Sequence, residues 1–315
     1  MGKIAFLFSG QGAQYVGMGK ELYENIQVSR KVFEEADKAL GFSISGICFN
    51  GPAELINSTE NTQPAVLTVS IAALKALQEK GINPDCCAGL SLGEYSALVC
   101  SNVFDFETAV SLVKKRGRYM QEAVPEGIGT MAAIIGLERD KVLEACNECS
   151  HIGVVEAANF NCPGQIVIAG EIKAVKEACV RAKEKGAMKT VMLTVSGPFH
   201  SSMLKSASIK LKRELENINL NDMKVPVFTN VNGKEIEHIS NIKDNLIRQV
   251  MSSVYWEDII KNMIDLGVDT FVEIGPGKSL SKFVKRINRK ASICNVEDMQ
   301  SLNKTLESLN NRSGE

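Results

Sequence analysis

A serine becomes a nucleophile when a tight turn exposes its hydroxyl, and Gly89-Leu90-Ser91-Leu92-Gly93 offers such a turn. In the G-x-S-x-G pattern the small residues on either side let a strand fold sharply into a helix beneath the serine. The helix start brings free N–H groups and the positive end of its dipole to the place where an oxyanion would develop. Cys86-Cys87-Ala88 before the motif reads as a buried strand and residues 94–101 after it as a helix, the context this chemistry requires. The plainer alternative is a glycine turn with an incidental serine; the flanking elements favour the nucleophile.

Such a serine needs a base, and the chain has 3 histidines. His151 follows a helix end and His238 lies in a polar segment, positions suited to caps and ordinary polar contacts. His200 stands in Gly197-Pro198-Phe199-His200-Ser201-Ser202, a turn entering a helix, and is the expected base. A hydrolase triad would place an acid between Ser91 and His200, but Asp105 and Asp140 both read as helix caps. A Ser–His dyad, its imidazole oriented by a backbone carbonyl, is therefore expected. Arg116, within Lys114-Lys115-Arg116-Gly117-Arg118, reads on its own as a solvated basic helix end.

Two other chemistries fit poorly. Gly10-Gln11-Gly12 begins like a dinucleotide-binding turn, but Tyr15 stands where the third glycine is needed. Cys146 and Cys149, with His151 and Cys162 beyond, imitate a zinc set. Val142, Cys146 and Cys149 share one helical face, however, so buried core thiols are expected.

The elements that must position these residues alternate. Residues 4–8 read as a strand, Pro64 opens a helix running to about residue 78, and Asp105 caps a helix to about residue 122. After the second hinge, residues 270–274 read as a strand followed by Gly275-Pro276-Gly277 and a helix. Strand, glycine turn and helix in repetition imply a parallel sheet covered on both faces. The stretch 125–196 differs: strand 131–135, helix 140–149, strands 154–159 and 165–170, helix 174–185, strand 188–195. That β-α-β-β-α-β order is the ferredoxin-like plan. Pro125-Glu126-Gly127 and Ser196-Gly197-Pro198 bracket it as hinges, and residues 310–315 read as a frayed end. The expected division is a discontinuous α/β domain of residues 1–124 and 197–315, with residues 125–196 as an inserted α+β subdomain.

Composition narrows the partners. Of 315 residues, 36 are Lys or Arg and 37 Asp or Glu, for a net charge of −1, without the basic excess of a nucleic-acid binder. No stretch approaches the roughly 18 apolar residues of a membrane helix. The apolar run at 4–8 is too short for a signal-peptide core of about 7–15 residues. A cytoplasmic protein with its 9 cysteines reduced is expected.

Six blocks, taken in order and spacing, resemble one family over essentially the whole chain. They are Phe8-Ser9-Gly10-Gln11-Gly12-Ala13-Gln14, Gly89-Leu90-Ser91-Leu92-Gly93-Glu94, Arg116-Gly117, Asn159-Phe160-Asn161-Cys162-Pro163-Gly164-Gln165, Gly197-Pro198-Phe199-His200-Ser201 and Glu273-Ile274-Gly275-Pro276-Gly277. Together they look like the malonyl-CoA:acyl carrier protein transacylases. The resemblance implies a hydrolase-like parallel-sheet α/β domain with an inserted ferredoxin-like subdomain. It implies Ser91 as the acylated nucleophile, His200 as base and acid, and the backbone N–H groups of Gln11 and Leu92 as the oxyanion hole. Arg116 would then grip the malonyl carboxylate in a bidentate fork. Gln249 matches the position whose neighbourhood orients His200, and Asn161 would line the acyl pocket.

The family's usual motif carries His before the serine, where this chain has Leu90; because the base is the distant His200, activity is expected to survive. Phe199 before His200 resembles the malonyl-selective form. The reaction implied is ping-pong transfer from malonyl-CoA to the phosphopantetheine thiol of an acyl carrier protein, in fatty-acid or polyketide elongation. No metal or redox cofactor, no nucleic acid and no membrane would be involved, and the chain would act as a monomer. Carrier proteins of this family present an acidic helix, so a basic rim is expected, with Lys189 and Arg286 as its candidates. A hydrolytic esterase would share Ser91 and His200 but has no use for Arg116. A non-catalytic carrier-binding scaffold would have no use for a matched nucleophile and base.

Overall fold

The apolar run near the N-terminus becomes the middle strand of a parallel sheet in the computed structural model, which describes residues 2–195 and 197–312. Ser196 of the expected second hinge and residues 313–315 of the expected frayed end lie outside the described residues. The strands are β1 Lys3–Phe8, β2 Cys86–Gly89, β3 Gly129–Ile135, β4 Val155–Cys162, β5 Gln165–Glu171, β6 Lys189–Met192, β7 Val227–Phe228, β8 Val268–Ile274 and β9 Ser292–Val296. One sheet runs β7-β2-β1-β8-β9 with every pair parallel. Alternate side chains of a strand face opposite ways. Phe6, Phe8, Cys87, Val272 and Ile274 enter one apolar core, and Ala5, Leu7, Cys86, Ala88 and Phe271 enter another on the far face. Burial on both faces is why these strands read as apolar runs without alternation.

The main cover on the first face is the helix Thr59–Glu79, buried along most of its length. It starts five residues before Pro64, a correction to the expected start. Pro64 lies in the second turn, where its missing N–H forfeits one helical bond that the apolar packing around it tolerates. Asp105 caps the helix Phe106–Glu122 by accepting from the Thr108 N–H at 2.9 Å. Asp140, expected as a cap, sits inside the first turn of the helix Arg139–Glu148, whose cap position is Glu138.

The second sheet is antiparallel in the order β4-β5-β3-β6, with the two crossing helices Arg139–Glu148 and Ile172–Glu184. Val142, Cys146, Val175 and Ala178 of those helices meet Ile134, Ile166 and Ile168 on one face. The other face packs Met131, Ala133, Val167 and Ala169 into the core of the larger domain. The chain is thus an α/β parallel-sheet domain with a ferredoxin-like α+β unit laid against it. The strand expected over 188–195 ends at Met192: the Leu193 N–H still reaches Met131 O at 2.9 Å, and then the chain leaves the sheet toward His200. A side chain on Gly129 could not pass this returning segment, because its Cβ would stand 2.5 Å from Pro198 Cδ. No helix among the described residues is long and apolar enough to cross a membrane.

Candidate active site

The Ser91 elbow follows from two glycines that nothing else could replace. A Cβ on Gly89 would fall 1.9 Å from the Gly93 carbonyl carbon, and one on Gly93 would fall 2.2 Å from Phe8 O. Removing both lets β2 turn directly into the helix Gly93–Cys100 with Ser91 at its apex. Ser91 takes φ 54°, and His200 takes φ 62°, left-handed conformations that a non-glycine residue adopts at a cost of about 1–3 kcal/mol. Asn230, just beyond β7, braces the turn from both sides. Its Oδ1 accepts from the Ser91 N–H at 2.6 Å and its Nδ2 donates to Gly89 O at 2.8 Å.

His200 Nε2 lies 2.7 Å from Ser91 Oγ, and His200 Nδ1 lies 2.9 Å from Gln249 O. The carbonyl can only accept, so the ring proton sits on Nδ1 and Nε2 accepts from the serine hydroxyl. A backbone carbonyl thus occupies the place that an acid takes in a triad. Gln249 supplies it as the last residue of the helix Asn241–Gln249, and its buried side chain does more. Nε2 donates to Ser91 O at 3.1 Å and to Glu94 Oε2 at 2.8 Å, while Oε1 accepts from Arg116 Nη2 at 3.0 Å.

Arg116 is only 1 % exposed, which corrects its first reading as a solvated helix end. The helix Phe106–Glu122 turns it inward, under the serine. Nη2 reaches Ser91 Oγ at 3.3 Å and Nη1 reaches Gln63 Oε1 at 2.8 Å, while Nε has no hydrogen-bond partner among the described residues. The guanidinium also lies 5.4 Å from the Tyr95 ring centre. Burial pulls its proton affinity down and Tyr95 and Glu94 oppose that pull, yet a guanidinium keeps its charge at neutral pH.

A gorge of about 680 Å³ opens above Ser91 and His200, between the loop 10–14 and residues 193–195. Asn161 on β4 and Phe199 line it, as does Leu90, which also packs with Phe271 and Leu280. The Gln11 and Leu92 N–H groups donate to no acceptor among the described residues, and Gln11 is pinned by its side-chain bond to Thr59 Oγ1 at 3.2 Å. Lys189 and Arg286 do not line the gorge. Both are exposed: Lys189 starts β6, opposite Ile135 of β3, and Arg286 sits at the β4–β5 turn, where it donates to Gln165 Oε1 at 2.9 Å and Pro163 O at 3.1 Å. Cys146 and Cys149 are core residues whose thiols burial pushes up, Cys146 to about 12, and the described residues hold no group of three metal-ligating side chains. The spacing gave no warning of Asn230 or Gln63. Glu94 did carry a signal, being a lone acid in the otherwise apolar helix Gly93–Cys100.

Burial, and next the charge of Arg116, lower His200 from 6.5 to about 4, against a pull upward from the Gln249 carbonyl. The folded protein therefore keeps a neutral imidazole while the unfolded chain takes up a proton below pH 6.5. Stability should fall as pH drops through the window from 6.5 to about 4. Relative to a His200→Gln variant, urea denaturation of the wild type should lose about 3 kcal/mol across that window. Parallel curves for the two proteins would contradict a buried neutral His200.

The arrangement suits ester formation on Ser91 with an acyl group whose far end is an anion: a base on one side of the hydroxyl, a buried cation on the other, and two free amides near both. Residues 5–306 match the family model "Acyl transferase domain". A malonyl CoA-acyl carrier protein transacylase of Bacillus subtilis is 47% identical over 310 residues, covering 98% of each chain. The crystal structure of a malonyl CoA-acyl carrier protein transacylase from Clostridium perfringens superposes with a TM-score of 0.97 at 48% identity, covering 99% of this chain and 98% of that one. A malonyl-transacylase solved in complex with its type II PKS acyl-carrier protein superposes with a TM-score of 0.95 at 42% identity, over 97% and 99% of the two chains.

Proposed function

The chain belongs to the acyl transferase domain family, and we propose that it moves the malonyl group from malonyl-CoA to the phosphopantetheine thiol of an acyl carrier protein through a malonyl-Ser91 ester. The observation that carries this reading is Arg116: a buried guanidinium 3.3 Å from the nucleophile, with no carboxylate bonded to it among the described residues. A malonyl carboxylate brings an anion into direct contact with it.

In the first half-reaction Ser91 Oγ attacks the thioester carbonyl as His200 Nε2 takes its proton. The oxyanion forms beside the Gln11 and Leu92 N–H groups. Collapse breaks the C–S bond, and the leaving thiolate takes the proton from His200. In the second half-reaction the carrier's thiol gives its proton to His200 and attacks the malonyl ester; Ser91 leaves and recovers that proton. Every proton and electron pair is accounted for without a metal or redox group. The Gln249 carbonyl holds His200 through both halves. Residues 1–124 and 197–315 supply the reacting groups and residues 125–196 the outer wall, with Asn161 and Phe199 shaping the acyl end of the gorge. All these groups come from one chain, so the site needs no second subunit, and the 9 cysteines, all free, support the cytoplasm.

Mixing the protein with malonyl-CoA and a phosphopantetheinylated carrier should yield malonyl-carrier, read by mass. Free malonate appearing equally fast without carrier would make it a hydrolase instead. Lys189 and Arg286 form the rim offered to an acidic carrier helix. Lys189→Glu is the cleaner variant, since Arg286 also ties the helix Ser279–Ile287 to the β4–β5 turn. It should raise the KM for the carrier about threefold or more and leave acylation by malonyl-CoA alone unchanged. An equal drop in both half-reactions would remove Lys189 from the docking rim.

A further inference from the structure

Glu94 takes no part in the chemistry above, yet it is a fully buried carboxylate one helical turn from the nucleophile. Oε2 accepts from the Asn230 N–H at 2.9 Å and from Gln249 Nε2 at 2.8 Å, while Oε1, beside the Thr229 hydroxyl, makes no well-formed hydrogen bond among the described residues. A carboxylate half bare in the core is costly unless a positive charge stands near it. Burial pushes the Glu94 carboxyl up, and the Asn230 N–H, the Gln249 amide, the Thr229 hydroxyl and the charge of Arg116 pull it back toward the carboxylate; Arg116 is the positive charge among them, acting across the Gln249 amide. Among the described residues the two do not touch: Arg116 Nη2 reaches Gln249 Oε1, and Gln249 Nε2 reaches Glu94 Oε2.

We propose that Glu94 is a positioning residue that orients the Gln249 amide and balances Arg116 from a distance, leaving the guanidinium open to the carboxylate of the acyl group. An amide flips easily between two settings that differ only in which end is O and which is N. A carboxylate accepts only, so the NH₂ end of Gln249 must face Glu94 and the oxygen must face Arg116. That setting also aims the second Nε2 hydrogen at Ser91 O, which ties Glu94 to the elbow. Were Glu94 bonded directly to Arg116, the fork would already be filled when the acyl carboxylate arrived. Standing one amide away, it offsets the charge and lowers the grip on an incoming anion, so that the acyl group can also leave.

The inference rests on the malonyl reading, and its tests separate the two. Glu94→Gln removes the charge and keeps the shape: the retained oxygen can accept from Asn230 and Gln249, and the new NH₂ group faces the Thr229 hydroxyl, which has no other partner. Without its counter-charge Arg116 should hold an anion more tightly. The ratio of acylation kcat/KM for malonyl-CoA over acetyl-CoA is expected to rise about fivefold or more in Glu94→Gln, a ratio that loss of folded protein does not change. An unchanged or smaller ratio overturns the proposal while wild-type malonyl transfer stands. The second test needs no substrate. Glu94→Gln should lower the urea midpoint of the wild type and raise that of an Arg116→Met variant, where Glu94 would be a buried charge without its opposite. The same change in both backgrounds makes Glu94 a packing residue and overturns the proposal even if malonyl transfer fails.

Discussion

Arg116→Ala is expected to cut kcat/KM for malonyl-CoA by roughly 30-fold to several-thousand-fold while acetyl-CoA stays level or improves. Removing one partner of a buried charge pair costs about 2–5 kcal/mol, which gives that range. The malonyl carboxylate must leave water to reach Ser91, and the guanidinium at 3.3 Å from Ser91 Oγ is the group placed to receive it. An acetyl group brings no carboxylate to Arg116, so the loss of the guanidinium costs acetyl transfer little. The acetyl rate also guards against a trivial outcome. Arg116 holds Gln249 Oε1 at 3.0 Å, and a collapse of Gln249 would disturb His200 and slow both substrates alike. Arg116→Lys should fall nearly as far for malonyl, because a single ammonium cannot hold Gln63, Gln249 and a carboxylate in one plane. Equal losses for both acyl groups would make Arg116 a support of the fold.

Ser91→Ala and His200→Ala should each abolish turnover to a similar depth, roughly 10⁴-fold or more, and the double variant should be no slower than the worse of the two. The reason is their shared proton. His200 Nε2, 2.7 Å from Ser91 Oγ, takes the serine proton in the first half-reaction and returns one in the second, so removing either group ends the same steps. Both substitutions leave a non-glycine residue at a left-handed position held by its surroundings, and the Asn230 bonds to the elbow do not involve either side chain. The variants should therefore remain folded, which near-UV circular dichroism would check. Losses that multiply in the double variant would mean that the two residues act independently.

The elbow and the small domain were legible because local physics dictates them. A glycine two residues either side of Ser91 is forced by backbone approaches of 1.9 and 2.2 Å, and that demand is written in the sequence as G-x-S-x-G. The β-α-β-β-α-β order needed only periodicity and turns, and the sheet order β4-β5-β3-β6 follows from it. Strand ends were harder: β6 stops at Met192 because the chain must return to His200, a demand of the tertiary path that no local pattern carries. Arg116 read as solvated because it stands in a basic cluster late in its helix, and only the packing against the helix Thr59–Glu79 turns it inward. Gln249, Asn230 and Gln63 reach the site from three distant segments; amides carry no spacing rule, so the resemblance to a family located Gln249 and nothing located the other two.

The most direct measurement is the site of acylation in the wild-type protein. Brief mixing with malonyl-CoA in the absence of carrier, followed by intact-mass and peptide-level mass spectrometry, should find one malonyl group, located on Ser91. Adding the phosphopantetheinylated carrier should then discharge it to the carrier's thiol, and Ser91→Ala should carry no label at all. A label that persists in Ser91→Ala on one of the free cysteines, or a wild-type protein that turns malonyl-CoA over without ever holding the acyl group, would contradict the account.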